Sequence, residues 1–106
     1  MLTNNGPSNG QQPERRDGEV RIDLGRVCAT PGALAAVDEA TITASLYRHA
    51  VGDWGDLDAV DKVENDRAVV HGGRLVSSFL AQNGTKFWII TEADRSATTV
   101  LLPEDY

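Results

Sequence analysis

The chain has 106 residues, of which 41% are hydrophobic and 25% charged, a composition typical of one globular domain with its own core. Its net charge of −6 argues against sequence-independent nucleic-acid binding, which needs clustered lysine and arginine, and against attraction to anionic membranes. No apolar run approaches the ~20 residues that cross a bilayer, no export signal opens the chain, and the lone Cys28 excludes an intrachain disulfide, so we expect a cytoplasmic protein without membrane association.

The N-terminal segment is poor in residues that could be buried. Residues 1–18, MLTNNGPSNGQQPERRDG, are rich in Asn, Gln, Gly and Pro, which predicts a disordered tail followed by a single domain over 19–106. Val20, Ile22 and Leu24 then alternate with charged residues and precede the apolar run 27–29. This pattern predicts one strand with a bend at Gly25.

Three helices are predicted next. Thr30 and Pro31 are typical of an N-cap and a first helical residue, and Leu34 and Val37 are expected to face the core. A second helix is predicted to begin at a cap on residue 41 or 43 and to end before residue 52. Asp58 is the expected N-cap of a third helix that ends at residues 71–73. Helical spacing places these residues on one apolar stripe of the third helix: Val60, Val63, Arg67 and Val70.

From Arg74 onward the apolar pattern alternates with a period of two. Residues 74–81 and 85–92 predict strands joined at Asn83-Gly84, the residue pair typical of a type I′ hairpin turn. A turn over 93–96 leads to a last strand that Pro103 ends. The predicted fold is therefore α+β: an antiparallel sheet, made of this three-stranded meander plus the N-terminal strand, with two or three helices packed on one face.

Six carboxylates lie between residues 53 and 66. The spacing favours the interpretation that these carboxylates cap and solvate a helix, because acids in a first helical turn interact favourably with the helix dipole. The spacing does not fit a calcium loop, and no metal site is predicted. The alternative is an acidic surface that binds a protein partner, for which the candidate residues are Trp54, Asp56, Asp58 and Asp61.

His49 lies on the core side of the second predicted helix, where a hydrogen-bonded structural histidine is the favoured interpretation and Asp53 is the candidate partner. The alternative is a ribonuclease-like site in which His49 acts as general base beside a phosphate-binding Arg48. The residues to test for such an enzyme are His49, Asp53, Arg95 and Thr98. Nucleotide, cofactor and zinc-protease motifs are missing from the sequence, so we expect no cofactor and favour a non-enzymatic role.

Trp88 lies in a predicted strand with apolar residues on both faces. Helices can cover only one of these faces, so the tail or a second subunit is expected to cover the other. A second subunit there would make a homodimer through the sheet.

Three segments carry a family resemblance: ATPGAL at 29–34, RH..GDWGDLD at 48–58 and GTK.WIITEADRS.TTVLLPEDY at 84–106. Through these segments, residues 24–106 resemble a family of small bacterial proteins that are called plasmid-related. Members of this family are found on plasmids, phages and integrated elements. Some members carry the label type I restriction endonuclease subunit M, although this chain has neither the glycine loop nor the Asn-Pro-Pro-Tyr motif of a methyltransferase.

The resemblance implies a setting on mobile elements and no particular activity. We therefore expect a non-enzymatic protein-binding or regulatory factor, with inhibition of a restriction enzyme or other nuclease as a specific form suggested by the acidic charge. The alternative is a ribonuclease- or toxin-like enzyme, because helices followed by an antiparallel sheet also describe barnase-like and RelE-like folds.

Overall fold

A computed structural model describes residues 21–106. The predicted tail at 1–18 and the predicted strand residue Val20 lie outside these residues. In the described part, a strand is followed by three helices, three strands and a terminal 3-10 turn at Pro103–Asp105. The α+β class that the sequence predicts is confirmed. None of the helices is both long and apolar enough to cross a membrane within residues 21–106.

The first strand, β1 (Arg26–Ala29), begins immediately after the predicted bend. Gly25 has a φ of +62°, and a Cβ there would lie 2.3 Å from the carbonyl oxygen of Ser96. A side chain at this position would therefore be strained and would also collide with the neighbouring turn. Residues 21–24 lie outside any strand, so the predicted strand is shortened to the part that follows Gly25.

Helix α1 (Pro31–Ala36) begins as predicted, because the Thr30 hydroxyl accepts a hydrogen bond from the Ala33 N–H at 3.1 Å. Val37 is buried, but Leu34 is 63% exposed, and the expectation that it faces the core was wrong. Ala33 takes the inward position, and the next residue of a helix points about 100° away from it.

Helix α2 (Glu39–Ala50) begins earlier than predicted. Its N-cap is Asp38, whose carboxylate accepts from the N–H of Thr41 at 3.2 Å, so Thr41 lies inside the first turn. The helix ends before Gly52, which has a φ of +84°. Its inward side carries Ile42, Ser45 and His49.

Helix α3 (Ala59–His71) has the predicted N-cap, with the Asp58 carboxylate accepting from the N–H of Asp61 at 2.9 Å. Its predicted apolar stripe faces solvent: Val60, Val63 and Val70 are 70%, 51% and 75% exposed. The inward side is the opposite one, with a buried Asn65, because α3 lies beside the edge of the sheet.

The strands β2 (Leu75–Leu80), β3 (Lys86–Thr91) and β4 (Ala97–Leu101) form the predicted antiparallel meander. The sheet order is β1-β4-β3-β2, and β1 runs parallel to β4, with Val27 opposite Thr98. The prediction of a wholly antiparallel sheet was wrong in this respect. Apolar alternation is the same in both kinds of pairing, so the sequence pattern does not carry the strand direction.

The turn between β2 and β3 also differs from the prediction. Gly84 has a φ of +88°, whereas Asn83 is not in the positive-φ region that a type I′ turn requires. The Gly84 N–H donates to the carbonyl of Ala81, and the Asn83 amide donates to the carbonyl of Ala36 at 2.9 Å. Asn83 therefore joins the hairpin to α1.

The sheet has two unequal faces. The inner face packs on α1 and α2 and forms the main core with these buried residues: Ala33, Val37, Ile42, Phe79, Phe87, Ile89 and Val100. The outer face carries Val76, Ser78, Trp88, Ile90 and Leu101, as the strand registers require. On that face Tyr106 packs edge-on against Trp88, with ring centroids 5.9 Å apart.

The outer edge of β2 is occupied by other parts of the chain. The amide side chain of Asn65 donates to the Val76 carbonyl at 2.7 Å and accepts from the Val76 N–H at 3.2 Å. The Ser78 N–H donates to the carbonyl of Trp54, and the Asp56 N–H donates to the carbonyl of Ser78. Side chain and loop together replace a neighbouring strand, so β2 offers few free backbone groups at this edge.

Candidate functional site

The imidazole of His49 belongs to a buried chain of hydrogen bonds. Its Nδ1 lies 2.6 Å from the Ser77 hydroxyl, and its Nε2 lies 2.8 Å from the Thr91 hydroxyl. Thr91 in turn lies 2.7 Å from the hydroxyl of Thr98, which donates to the carbonyl oxygen of Leu24. All four side chains are fully or almost fully buried.

The carbonyl end of this chain fixes the direction of every proton in it. A carbonyl only accepts, so Thr98 donates to Leu24 and must accept from Thr91. Thr91 then accepts from Nε2–H of His49, and in the neutral ring Nδ1 is left to accept from Ser77. The neutral form of His49 therefore carries its proton on Nε2.

The environment of His49 disfavours its charged form. Burial lowers the pKa of His49 from 6.5 to about 4, with a smaller contribution from the positive charge of Arg95. Trp54 packs edge-on against the ring, with centroids 5.6 Å apart. A neutral, fully enclosed imidazole whose two nitrogens are both occupied has the properties of a structural histidine.

Asp53 does not pair with His49, so the expected partner was wrong. Its carboxylate accepts from Arg48 Nε at 2.7 Å and from the N–H of Gly55 at 3.1 Å. The hydrogen bond from Arg48 is the main cause that lowers the pKa of Asp53. Arg48 also places its guanidinium 4.7 Å above the ring of Phe79. The pair lies on the surface and holds the loop after α2.

Arg95 joins the β3–β4 turn to the end of α3. Its guanidinium donates to the carbonyls of Gly73 at 2.6 Å and Ala68 at 3.1 Å, and also to Glu92 in its own turn. The Ala68 carbonyl also accepts from the N–H of Gly72, so Arg95 adds a second donor there, and a cation at the end of a helix interacts favourably with the dipole. Arg95 does this from a left-handed conformation with a φ of +62°.

The four candidate catalytic residues therefore divide into separate environments. His49 and Thr98 are brought together through Thr91, but inside the core. Asp53 is half-exposed beside Arg48, and Arg95 is bound to backbone carbonyls. In the described structure these four side chains do not share an open cleft.

Of the four residues predicted to form an acidic binding surface, Trp54 is placed differently from the others. It is 4% exposed, and its indole N–H donates to the carboxylate of Asp66 at 2.9 Å. Asp56, Asp58 and Asp61 are exposed and line a common groove on the outer face of the sheet, with a volume of about 510 Å³.

This groove, called the outer groove below, combines an acidic wall with an apolar and aromatic floor. The wall is the segment from Asp56 to Asp61, and the floor is formed by Val76, Ser78, Trp88 and Ile90. Arg74 and Tyr106 lie toward the Leu75 end of β2, and Lys86 lies at the opposite end, across from Leu80. The groove thus follows β2 for about 17 Å at 3.3 Å per residue.

The charges in the outer groove are unevenly balanced. Arg74 donates to the Tyr106 hydroxyl at 2.8 Å, stacks on its ring and lies 3.8 Å from Glu92. Arg74 therefore already has an anionic partner, which leaves Lys86 to face the three aspartates of the wall. The lining is consequently negative overall and attracts cations. Within residues 21–106, no three His, Cys, Asp or Glu side chains are arranged to hold a metal ion.

The acidic wall was predictable from the sequence, whereas much of the rest of the groove was not. Trp88 was recognised only as a residue on an uncovered face, and Arg74, Lys86 and Tyr106 were not singled out. Tyr106 reaches the groove because the chain turns back after Pro103, for which the sequence contained no long-range signal.

Comparison of the sequence and the fold with family models, curated proteins and solved structures finds no match.

Proposed function

We propose that the protein is a non-enzymatic binding factor that holds a basic, extended segment of a partner protein in the outer groove. The observation that carries this proposal is the opposition of an acidic wall and an aromatic floor along the length of a strand. A strand-length groove suits an extended peptide, whose side chains alternate between the floor and solvent.

The chemistry of the lining favours lysine or arginine side chains in the occupant. Carboxylates pair with ammonium and guanidinium groups, and the half-buried Trp88 offers a ring on which an alkyl stem or a cation can pack. Asp58 also caps α3, so Asp56 and Asp61 are the wall residues more available to a ligand. Because the wall is exposed to solvent, its contribution weakens as salt increases.

The two tryptophans allow a direct binding assay. Pools of basic, acidic and neutral hexapeptides are titrated into the protein while the intrinsic fluorescence is recorded, which reports mainly on Trp88 because Trp54 is buried. We expect basic peptides that contain an apolar residue to change the emission in a salt-dependent manner. Replacing Trp88 by Phe should remove the signal and identify its source.

Variants that lose carboxylate charges distinguish binding in the outer groove from attraction to the overall negative charge of the protein. Asp56→Asn together with Asp61→Asn should weaken binding of basic peptides at least tenfold. Glu39→Gln together with Glu104→Gln removes two exposed carboxylates outside the groove and should leave the affinity within twofold. Equal losses in both double variants, or equal binding of acidic and basic peptides, would contradict the proposal.

Inhibition of a nuclease is a specific form of this function, supported by the acidic groove and by the mobile-element setting that the family resemblance implies. A nuclease presents a basic surface to DNA, which is the kind of partner that the groove attracts. The expected result is a salt-dependent loss of restriction cleavage that Asp56→Asn with Asp61→Asn abolishes. The four candidate residues of the ribonuclease alternative lie in separate environments, so their arrangement gives that alternative no support.

A further inference from the structure

The outer edge of β1 differs from that of β2, because no described segment pairs with it. The N–H groups of Arg26 and Thr30 donate to Ser96 and Val100 of the β4 side. Along a strand, the N–H and C=O groups of successive residues point alternately to its two sides. Because those of Arg26 and Thr30 point toward β4, those of Val27 and Ala29 point away from the sheet. Within residues 21–106 neither has a backbone partner, and Val27 is 46% exposed.

We propose that β1 pairs antiparallel with β1 of a second copy, around a two-fold axis at Cys28. In this register Val27 faces Ala29 of the second copy, and each of the two resulting pairs exchanges both backbone hydrogen bonds. A register centred on Val27 would require Gly25 to be extended, which its φ of +62° prevents. A register centred on Ala29 would require an N–H from Pro31, which has none.

The side chains at this edge are complementary in charge to a second copy of the same edge. Arg26 of each copy would lie opposite Thr30 of the other, in a pair without backbone hydrogen bonds. The Thr30 hydroxyl donates to the carboxylate of Asp105 at 2.6 Å, so that carboxylate lies beside the incoming guanidinium. The same contact occurs twice around the axis, which is the property of an isologous interface.

Cys28 reports directly on this register. It is exposed, lies on the outer face and would sit opposite itself across the axis. Residues that face each other without backbone hydrogen bonds have Cα atoms about 4.5 Å apart, within the range of a disulfide. Diamide should therefore oxidise the two thiols of a dimer to a disulfide, accepting their two electrons and two protons as it is reduced to its hydrazine.

The first experiment treats the full chain with diamide and follows the covalent dimer on a non-reducing gel. The control is Cys28→Ser with Thr99→Cys, which moves the thiol to the neighbouring strand on the same face. Its two Cα atoms would be about 14 Å apart, too far for a disulfide in the proposed dimer. We expect cross-linking of the native chain to be at least tenfold faster, and equal rates would overturn the proposal.

The second experiment tests the charge pairing by sedimentation velocity. Arg26→Glu and Asp105→Lys should each shift the native chain toward monomer, since each homodimer would face like charges twice. An equimolar mixture of these two variants should recover dimers, because both contacts of the mixed dimer then join opposite charges. A native chain that stays monomeric, or a mixture that does not associate, would refute the pairing. If Asp105→Lys fails to fold by circular dichroism, the Cys28 cross-linking rate of Arg26→Glu alone decides.

Discussion

Acidification from pH 6.5 to about pH 4 should destabilise this protein through His49. Burial and the charge of Arg95 lower the pKa of His49 to about 4, whereas an unfolded chain has the ordinary value of 6.5. Between pH 4 and pH 6.5, His49 is therefore protonated in the unfolded chain but neutral in the folded chain. The contribution of the neutral histidine to stability is therefore complete above pH 6.5, falls as the pH decreases, and is lost below about pH 4.

The size of this effect follows from the gap between the two pKa values. A gap of about 2.5 pH units, at about 1.4 kcal/mol per unit, corresponds to a loss of about 3 kcal/mol. Small domains have a total free energy of unfolding of roughly 5–15 kcal/mol, so the loss is a substantial fraction. The lowered pKa values of Asp53 and Asp105 cause losses only below their ordinary value of 3.8, outside this range.

Urea denaturation at a series of pH values between 6.5 and 4 measures this loss. The matched variant His49→Gln is less stable but has no imidazole to titrate, so its stability should be nearly constant over the same range. Nuclear magnetic resonance of the ring in a His71→Gln background should show an imidazole that carries its proton on Nε2 at neutral pH. A ring that titrates near pH 6.5, or equal pH slopes in both proteins, would refute the reasoning.

Three further substitutions, the first with a matched control, test contacts that hold the fold. Gly25→Ala should lower the free energy of unfolding by more than about 1 kcal/mol, because the new Cβ collides with the Ser96 carbonyl. The matched control is Gly84→Ala, because Gly84 has a φ of +88° but open space around it. This control should lower the free energy of unfolding by only about 1 kcal/mol, and thermal denaturation measures both changes. Arg95→Asn keeps a residue that tolerates the left-handed backbone but loses the contacts to α3, so stability should fall by about 1–3 kcal/mol and amide exchange should accelerate in the last turn of α3. Asn65→Ala should cost about 1–3 kcal/mol by chemical denaturation and increase light scattering on storage, since it uncovers the edge of β2. An Asn65→Ala protein with unchanged stability would show that this amide does not secure the edge.

The helix starts and the meander were predictable because their signals are local. Thr30 and Asp58 cap helices through contacts only three residues away, and Pro103 ends the last strand as its missing N–H requires. The start of α2 was misplaced because Asp38 and Thr41 are both good caps, and the sequence does not say which one is used. In such cases the choice depends on where the preceding helix must end.

The orientation of α3 could not be read from its apolar spacing. The valine stripe is the most regular apolar pattern of the helix, yet the side that packs inward presents Asn65, Ala68 and Val69. An asparagine is normally assigned to a surface, and its value here comes from two hydrogen bonds to a strand eleven residues away. Long-range backbone pairing of this kind leaves no periodic trace in a sequence.

The same limit applies to the candidate site. The core position of His49 followed from helical spacing. Its hydrogen-bond partners Ser77 and Thr91 did not, because they lie 28 and 42 residues further along the chain. Asp53 was therefore predicted as the partner only because it is close in sequence. The acidic wall of the outer groove was visible as a cluster because its residues are sequence neighbours. The residues at the two ends of the groove were not, because Arg74, Lys86 and Tyr106 come from three separate segments.

The coverage of the β2 edge by Asn65 and the loop around Gly55 has a consequence for the size of any assembly. A sheet with two open edges can add chains at both edges and grow into a filament. A sheet with one open edge can pair with only one other copy. Once two copies join through β1, the combined eight-stranded sheet ends on both sides in a covered β2, and growth stops at two. Asn65 and this loop would then limit the protein's own association to a dimer, and loss of the Asn65 amide would free the backbone groups of Val76 for pairing with a further copy.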